Sequence, residues 1–93
     1  MLEVRALAAA YGVRVEFAPL GDWGTVRLIA EYDPDGPTIR VDAQTPPEAI
    51  ERAIAHELYH HREAIGEVRR IAGHGAREAA ADAFAERLLG LRG

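Results

Sequence analysis

Two histidines and one glutamate near the middle of the chain have the residue types and spacing to do chemistry together. They are His56, Glu57 and His60, which form the pattern His-Glu-x-x-His within "AIAHELYHHRE" at residues 53–63. In an α-helix, residues four apart differ by about 40° in direction and about 6 Å in height, so both imidazoles can converge on one ion. Glu57, about 100° round from His56, would flank that ion as a general base for water. The alternative is a charged helix with surface histidines.

A catalytic zinc site also needs a third protein ligand and an open position. Glu78 is the candidate, because it lies at the edge of the apolar stripe of the last predicted helix. A carboxylate there is costly to bury unless it is paired or bound to metal. Asp82 follows one turn later and could hydrogen-bond the far nitrogen of a ligating histidine. The alternative for Glu78 is an acid favoured by the dipole near a helix N-terminus.

Two further histidines have weaker arguments. His74 precedes Glu78 by four residues, so it is a candidate for stabilising the transition state or for an extra ligand. The alternative is a loop histidine between two glycines. His61 projects about 140° from His56, which predicts a structural role.

The elements that must position these residues follow from periodicity and turn signals. The chain begins with a predicted helix at about 2–11, with Leu2, Ala6 (or Leu7) and Ala10 inward and Gly12 after its end. Alternating apolar residues then predict strands at 13–20, 25–32 and 38–43, separated by turns at 21–24 and 33–37. Together these strands predict a small antiparallel meander.

Two longer helices follow the strands. The first is predicted over 45–64, with Thr45 as N-cap and Glu48 completing a capping box. Its apolar stripe is Ile50, Ile54, Leu58 and Ile65, and its solvated face is Glu48, Glu51, Arg52, Arg62 and Glu63. After a loop at 65–75, a last helix is predicted over 76–93, fraying at Gly90, with the apolar stripe Ala81, Phe84, Ala85, Leu88 and Leu89.

Bulk composition limits the classes of function. A chain of 93 residues, 48% hydrophobic and 28% charged, predicts one soluble domain over 1–93. Cysteine is absent, so any metal must be held by histidines and carboxylates. The net charge of −4 argues against a nucleic-acid binder. Neither a secretory signal nor a membrane-spanning run is recognisable, so a cytoplasmic location and no membrane partner are expected.

The two motifs together resemble a known family. His56, Glu57, Leu58 and His60, followed by "EAAADAFAERLL" at 78–89, look like the ImmA/IrrE-type metallopeptidases, a gluzincin branch of the zincin fold. The resemblance includes "YGVRV" and "TIRVDA" upstream and so covers most of the chain. The minimal size is similar to that of minigluzincins. Ala80 departs from the family pattern, which often has a second glutamate there.

The resemblance implies a fold and a function. The fold would be a minimal zincin-like α+β domain with a small, mainly antiparallel three-stranded sheet. His56, His60 and Glu78 would bind Zn²⁺, Glu57 would be catalytic, and Asp82 would orient a ligand histidine.

The expected activity is zinc-dependent hydrolysis of peptide bonds in a protein or peptide substrate, with a regulatory role. "TIRVDA" is expected to be an edge strand on which that substrate pairs. One alternative is a zinc-stabilised, non-catalytic interaction module of a toxin–antitoxin or phage-repressor circuit, and another is a metal-free helical adaptor. Substrate identity and oligomeric state do not follow from the sequence.

Overall fold

The computed structural model describes the backbone of residues 3–20, 22–23, 26–27 and 29–92, and side chains over 3–20 and 29–90. Three helices and a three-stranded mixed sheet make a small α+β fold. Its elements are α1 (Val4–Ala10), β1 (Arg14–Ala18), β2 (Asp22–Trp23), β3 (Val26–Arg27), β4 (Ala30–Asp33), β5 (Thr38–Asp42), α2 (Pro47–Ala64) and α3 (His74–Arg92). Within the described residues, no helix combines the length and apolarity needed to cross a bilayer.

The sheet has the order β1-β5-β4, and the predicted meander is wrong. Strand β5 pairs parallel with β1 and antiparallel with β4. A parallel pair needs a long crossover, which residues 19–37 supply. Ile39 and Val41 are fully buried, as central-strand residues are, whereas β1 is largely exposed. The prediction that "TIRVDA" forms an edge strand is therefore also wrong; β4 is the strand that borders the helical site described below.

The chain between β1 and β4 is more divided than predicted. The predicted turn at 21–24 contains β2, which pairs antiparallel with β3. The predicted strand at 25–32 becomes β3 and β4, with Ile29 between them outside any strand. Of the residues predicted to face inward in the first helix, Leu7 packs against the core, but Ala6 and Ala10 are exposed. Val4 and Ala8 are buried instead, so that part of the prediction is wrong. Leu2 falls outside the described residues, as do Gly21, Gly24, Thr25 and Leu28.

Helix α2 begins later than predicted, at Pro47. Pro46 occupies the N-cap with φ −58° and ψ 143° and provides no side-chain cap, so the capping box from Thr45 is wrong. The reason is that a residue before proline is pushed out of the helical region, while Pro47 is already suited to the first helical position. The Thr45 amide instead donates to the Asp42 carbonyl at 3.0 Å.

Helix α3 begins two residues earlier than predicted, at His74. Gly73 has φ 95° and so ends the loop, and its carbonyl accepts from the Arg77 amide at 3.1 Å. The helix continues through Gly90 to Arg92, so the predicted fraying at Gly90 is wrong.

The core lies between the sheet, α1 and the facing sides of α2 and α3. Its buried apolar residues are Val4, Ala8, Val13, Ile39, Val41, Ile54, Ala55, Leu58, Tyr59, Ala81, Phe84, Ala85 and Leu88. Both predicted helical stripes are thus largely confirmed, since Ile50 and Leu89 pack against this core. Ile65 is the exception, because α2 ends at Ala64 and leaves its side chain exposed.

Candidate metal centre

Helix α2 places His56 and His60 one turn apart on the side that faces α3. Their ring centroids are 5.2 Å apart, edge to face. Potential ligand atoms of His56, Glu57 and His60 all lie within 4.8 Å of one another. The predicted convergence of the motif side chains is therefore present, and it follows from helical geometry alone.

Side-chain pairs join α2 to α3 at successive turns, among them Arg52 with Glu86, His56 with Asp82, His60 with Glu78, and Glu63 with Arg77. Residue numbers rise along α2 as they fall along α3, so the helices run antiparallel. A pair occurs at each turn, because residues three and four apart lie on one helical face. This register brings the turn that carries Glu78 opposite the two histidines.

Glu78 contacts both histidines of the motif. Its Oε1 lies 3.0 Å from Nε2 of His56, and its Oε2 lies 2.9 Å from Nε2 of His60. The three predicted ligands thus direct two nitrogens and a carboxylate at one small region. That they bind a metal remains a prediction.

Both imidazoles face a carboxylate at each ring nitrogen. A neutral imidazole carries one N–H, so in that form one nitrogen of each ring would direct a lone pair at an anionic oxygen. Either an extra proton on each ring or one divalent cation beside the Nε2 atoms removes this repulsion. Burial lowers the pKa of His56, but the surrounding carboxylates, with Asp82 first among them, outweigh it and leave that pKa raised. The cluster therefore favours positive charge.

Carboxylates also contact the far nitrogens of both rings. Nδ1 of His56 lies 2.8 Å from Oδ1 of Asp82, the contact predicted from the sequence. Nδ1 of His60 lies 2.9 Å from Oε1 of Glu63. Such contacts orient the ring and present Nε2 to a ligand.

Glu63 is buried, so its predicted place on the solvated face of α2 is wrong. Only 3% of its side chain is exposed. Arg77 donates from Nη2 to Oε1 at 3.0 Å and from Nε to Oε2 at 3.2 Å. These hydrogen bonds, opposed by burial and aided by the contact with His60, lower the pKa of Glu63 to about 2. The available signal was its position three residues after His60, on the same helical face.

Glu57 stands beside the histidines. Its Oε2 lies 3.9 Å from Nε2 of His56, and 14% of its side chain is exposed. Burial raises the pKa of this carboxyl, although the two histidines act in the opposite direction. A carboxylate with a raised pKa accepts a proton more readily at neutral pH.

A cavity of about 300 Å³ opens beside Glu57 and His56. Within the described residues its walls are Ile29, Ala30, Ala49, Arg52, Ala53, His56, Glu57 and Asp82. A second cavity of about 260 Å³ shares Ile29 and Ala49 and reaches Thr45 and Pro46. The predominantly apolar walls suit an apolar side chain, and the small residues Ala49 and Ala53 leave the space for it.

The other two histidines lie in different surroundings. His61 is buried, with Nδ1 2.8 Å from the Tyr32 hydroxyl, and its ring meets the rings of Tyr11 and Tyr32 edge to face. Burial lowers its pKa. These contacts join α1, β4 and α2, in agreement with the predicted structural role. His74 is exposed, at the first position of α3, and so belongs to a helix rather than a loop; its predicted roles remain predictions.

The stability of the metal-free protein is expected to depend on Glu63 in acid. Its pKa falls from an ordinary 4.5 to about 2 in the fold, so the ionised carboxylate stabilises fully above pH 4.5 and this contribution is lost as the pH falls to about 2. Glu63→Gln should lower the free energy of unfolding by at most about 3 kcal/mol near neutral pH, and by little at about pH 2. Urea unfolding across this range measures the difference. A difference that does not change with pH would contradict the assignment.

Comparisons with known proteins add no evidence to the geometry of the site. Among protein-family models, curated proteins and solved structures, nothing matches this chain.

Proposed function

We propose that this chain is a zinc-dependent peptidase, a minimal gluzincin of the ImmA/IrrE type. The observation that carries the proposal is the Glu78 carboxylate, which spans Nε2 of His56 and Nε2 of His60 at 3.0 and 2.9 Å. A cluster of this composition needs either protons or a cation. Glu57, which takes no part in bridging α2 to α3, supplies a nearby base.

The donor set fits zinc. His56, His60 and Glu78 would hold the ion, as two imidazoles and one carboxylate do in catalytic zinc sites. Calcium and magnesium prefer oxygen-only surroundings, which two imidazoles do not offer. Bound zinc supplies a water of lowered pKa and polarises the substrate carbonyl.

Glu57 then acts as the proton carrier. Its buried carboxylate, with a raised pKa, accepts the proton of the attacking water. The resulting carboxylic acid donates that proton to the leaving amine. Glu57 reaches its position from the same turn of α2 as His56, so the base and the ligand are held by one rigid element.

The substrate would lie between β4 and α2. Ala30 at the start of β4 lines the same cavity as Glu57 and His56. Within the described sheet, β4 pairs only with β5, so an extended peptide could add along its other edge by main-chain hydrogen bonds. An apolar side chain of that peptide would fill the space beside Ala49 and Ala53. We infer that the target is a protein or peptide. A regulatory role and a cytoplasmic location of this chain are parts of the same proposal.

The test is metal analysis together with cleavage. The purified chain is expected to contain one zinc per molecule and to cleave members of a peptide library detected by mass spectrometry. Chelation should abolish cleavage and added zinc should restore it. Absence of zinc at neutral pH would refute the proposal. Bound zinc without cleavage of the library or of a co-expressed partner would favour the non-catalytic interaction module.

A further inference from the structure

The ion pair between Glu63 and Arg77 joins α2 to α3 and also lies next to two of the candidate zinc ligands. Glu63 lies in the last turn of α2, and Arg77 lies in the first turn of α3. Oε1 of Glu63 is shared, since it accepts from both Arg77 and Nδ1 of His60. Arg77 also directly precedes Glu78. Glu63 therefore contacts the candidate ligand His60, and Arg77 is adjacent in sequence to the candidate ligand Glu78.

We infer that Glu63 and Arg77 are positioning residues for the metal centre, which hold His60 and Glu78 in the arrangement that binds zinc. This inference rests on the proposed function. Glu63, as an anion, accepts a hydrogen bond from the Nδ1–H of His60, so that the lone pair of that ring is at Nε2, on the side of Glu78. Arg77 keeps the carboxylate in place and fixes the first turn of α3, from which Glu78 extends.

The carboxylates that contact the two histidines differ in their exposure to solvent. Asp82, which contacts His56, has a side chain that is 67% exposed, whereas that of Glu63 is 3% exposed. Water and salt screen an exposed contact and leave a buried one strong. Among the described residues, no arginine pairs with Asp82, whereas Arg77 donates hydrogen bonds to both oxygens of Glu63. Glu63 should therefore matter more for metal binding than Asp82.

A purely structural ion pair would behave differently. It would change the stability of the metal-free protein and leave its zinc affinity unaltered. The chain offers a control in Glu86, whose ion pair with Arg52 also joins α2 to α3 but lies about two turns of α2 from His60. Glu86→Gln removes a link between the same two helices and leaves the surroundings of His60 unchanged.

The experiment is zinc affinity by competition with a chromophoric chelator, with thermal unfolding of each metal-free variant alongside. Glu63→Gln is expected to weaken zinc binding by about 10- to 100-fold. Arg77→Ala should weaken it in the same direction, and the double variant should be little worse than Glu63→Gln alone. Asp82→Asn should have a smaller effect, and Glu86→Gln none.

A second readout concerns the ring of His60 itself. Long-range ¹H–¹⁵N spectra of the metal-free protein with neutral imidazole rings should show the proton of His60 on Nδ1. In Glu63→Gln the balance should shift toward Nε2. Wild-type zinc affinity and an unchanged tautomer in Glu63→Gln would overturn the inference and leave the proposed function standing. A wild-type chain that binds no zinc would refute the proposed function, and the inference with it.

Discussion

Glu57→Gln is expected to lower the rate of peptide cleavage by about 10²- to 10⁴-fold while the zinc content stays at the wild-type level. The amide has nearly the same shape as the carboxyl, so the cavity beside His56 keeps its walls. It cannot accept a proton from water, so the step that generates the nucleophile loses its base. Neither Nε2 of the two histidines nor the carboxylate of Glu78 is altered.

The measurement is single-turnover cleavage of the best library peptide, with zinc determined in the same samples. Glu48→Gln is the matched control, because it makes the same chemical change on the exposed first turn of α2. Equal activity in Glu57→Gln and Glu48→Gln would show that Glu57 is not the general base. Loss of zinc in Glu57→Gln would instead assign this residue to the ligands.

The local part of the candidate site could be predicted because helical geometry fixes it. The four-residue spacing of His56 and His60 determines their common direction, and the same spacing relates Glu78 to Asp82. That the two pairs meet required only that α2 and α3 pack antiparallel through their apolar stripes. Leu58 and Phe84, both buried, belong to those stripes and were recognisable by periodicity.

Helical spacing could have predicted the contact of Glu63 with His60, but not its burial, because that depends on a partner beyond the loop. On α2 alone, the Glu63 side chain projects among charged residues, a position that is typical of a solvated side chain. Arg77 makes the burial tolerable by giving the carboxylate two hydrogen bonds, and the conformation of residues 65–73 decides whether Arg77 can reach it. The burial of this acid depends on tertiary structure, because its partner cation lies fourteen residues away in the sequence.

The strand order was also beyond reach of the sequence pattern. Alternation identified β1 and β5, but it does not state which strands are neighbours. Ile39 and Val41 in β5 are fully buried because β1 and β4 flank that strand and helix α2 packs against it. The consequence for function is that the strand bordering Glu57 is β4, so an added peptide would pair with residues 30–33 rather than with "TIRVDA".

Glu78→Ala is expected to weaken zinc binding by about 10²- to 10³-fold. Structural zinc sites of four ligands bind with about 10–16 kcal/mol, so one ligand accounts for roughly 2.5–4 kcal/mol. The loss should be specific, because Glu78 is partly exposed and its polar contacts are the two histidines. The metal-free variant should therefore remain folded. Zinc affinity by chelator competition and far-ultraviolet circular dichroism measure the two effects.

Glu86→Gln is again the control, two turns further along α3. If Glu78→Ala binds zinc as tightly as the wild type, another residue completes the site. His74 is then the first to test, since it lies one turn before Glu78 on the same side of α3, and a His74→Ala variant would lose the metal. If Glu78→Ala loses zinc and His74→Ala retains it, the ligands are two imidazoles and one carboxylate. That set leaves a coordination position for water and substrate, which a peptidase requires and a purely structural zinc site does not.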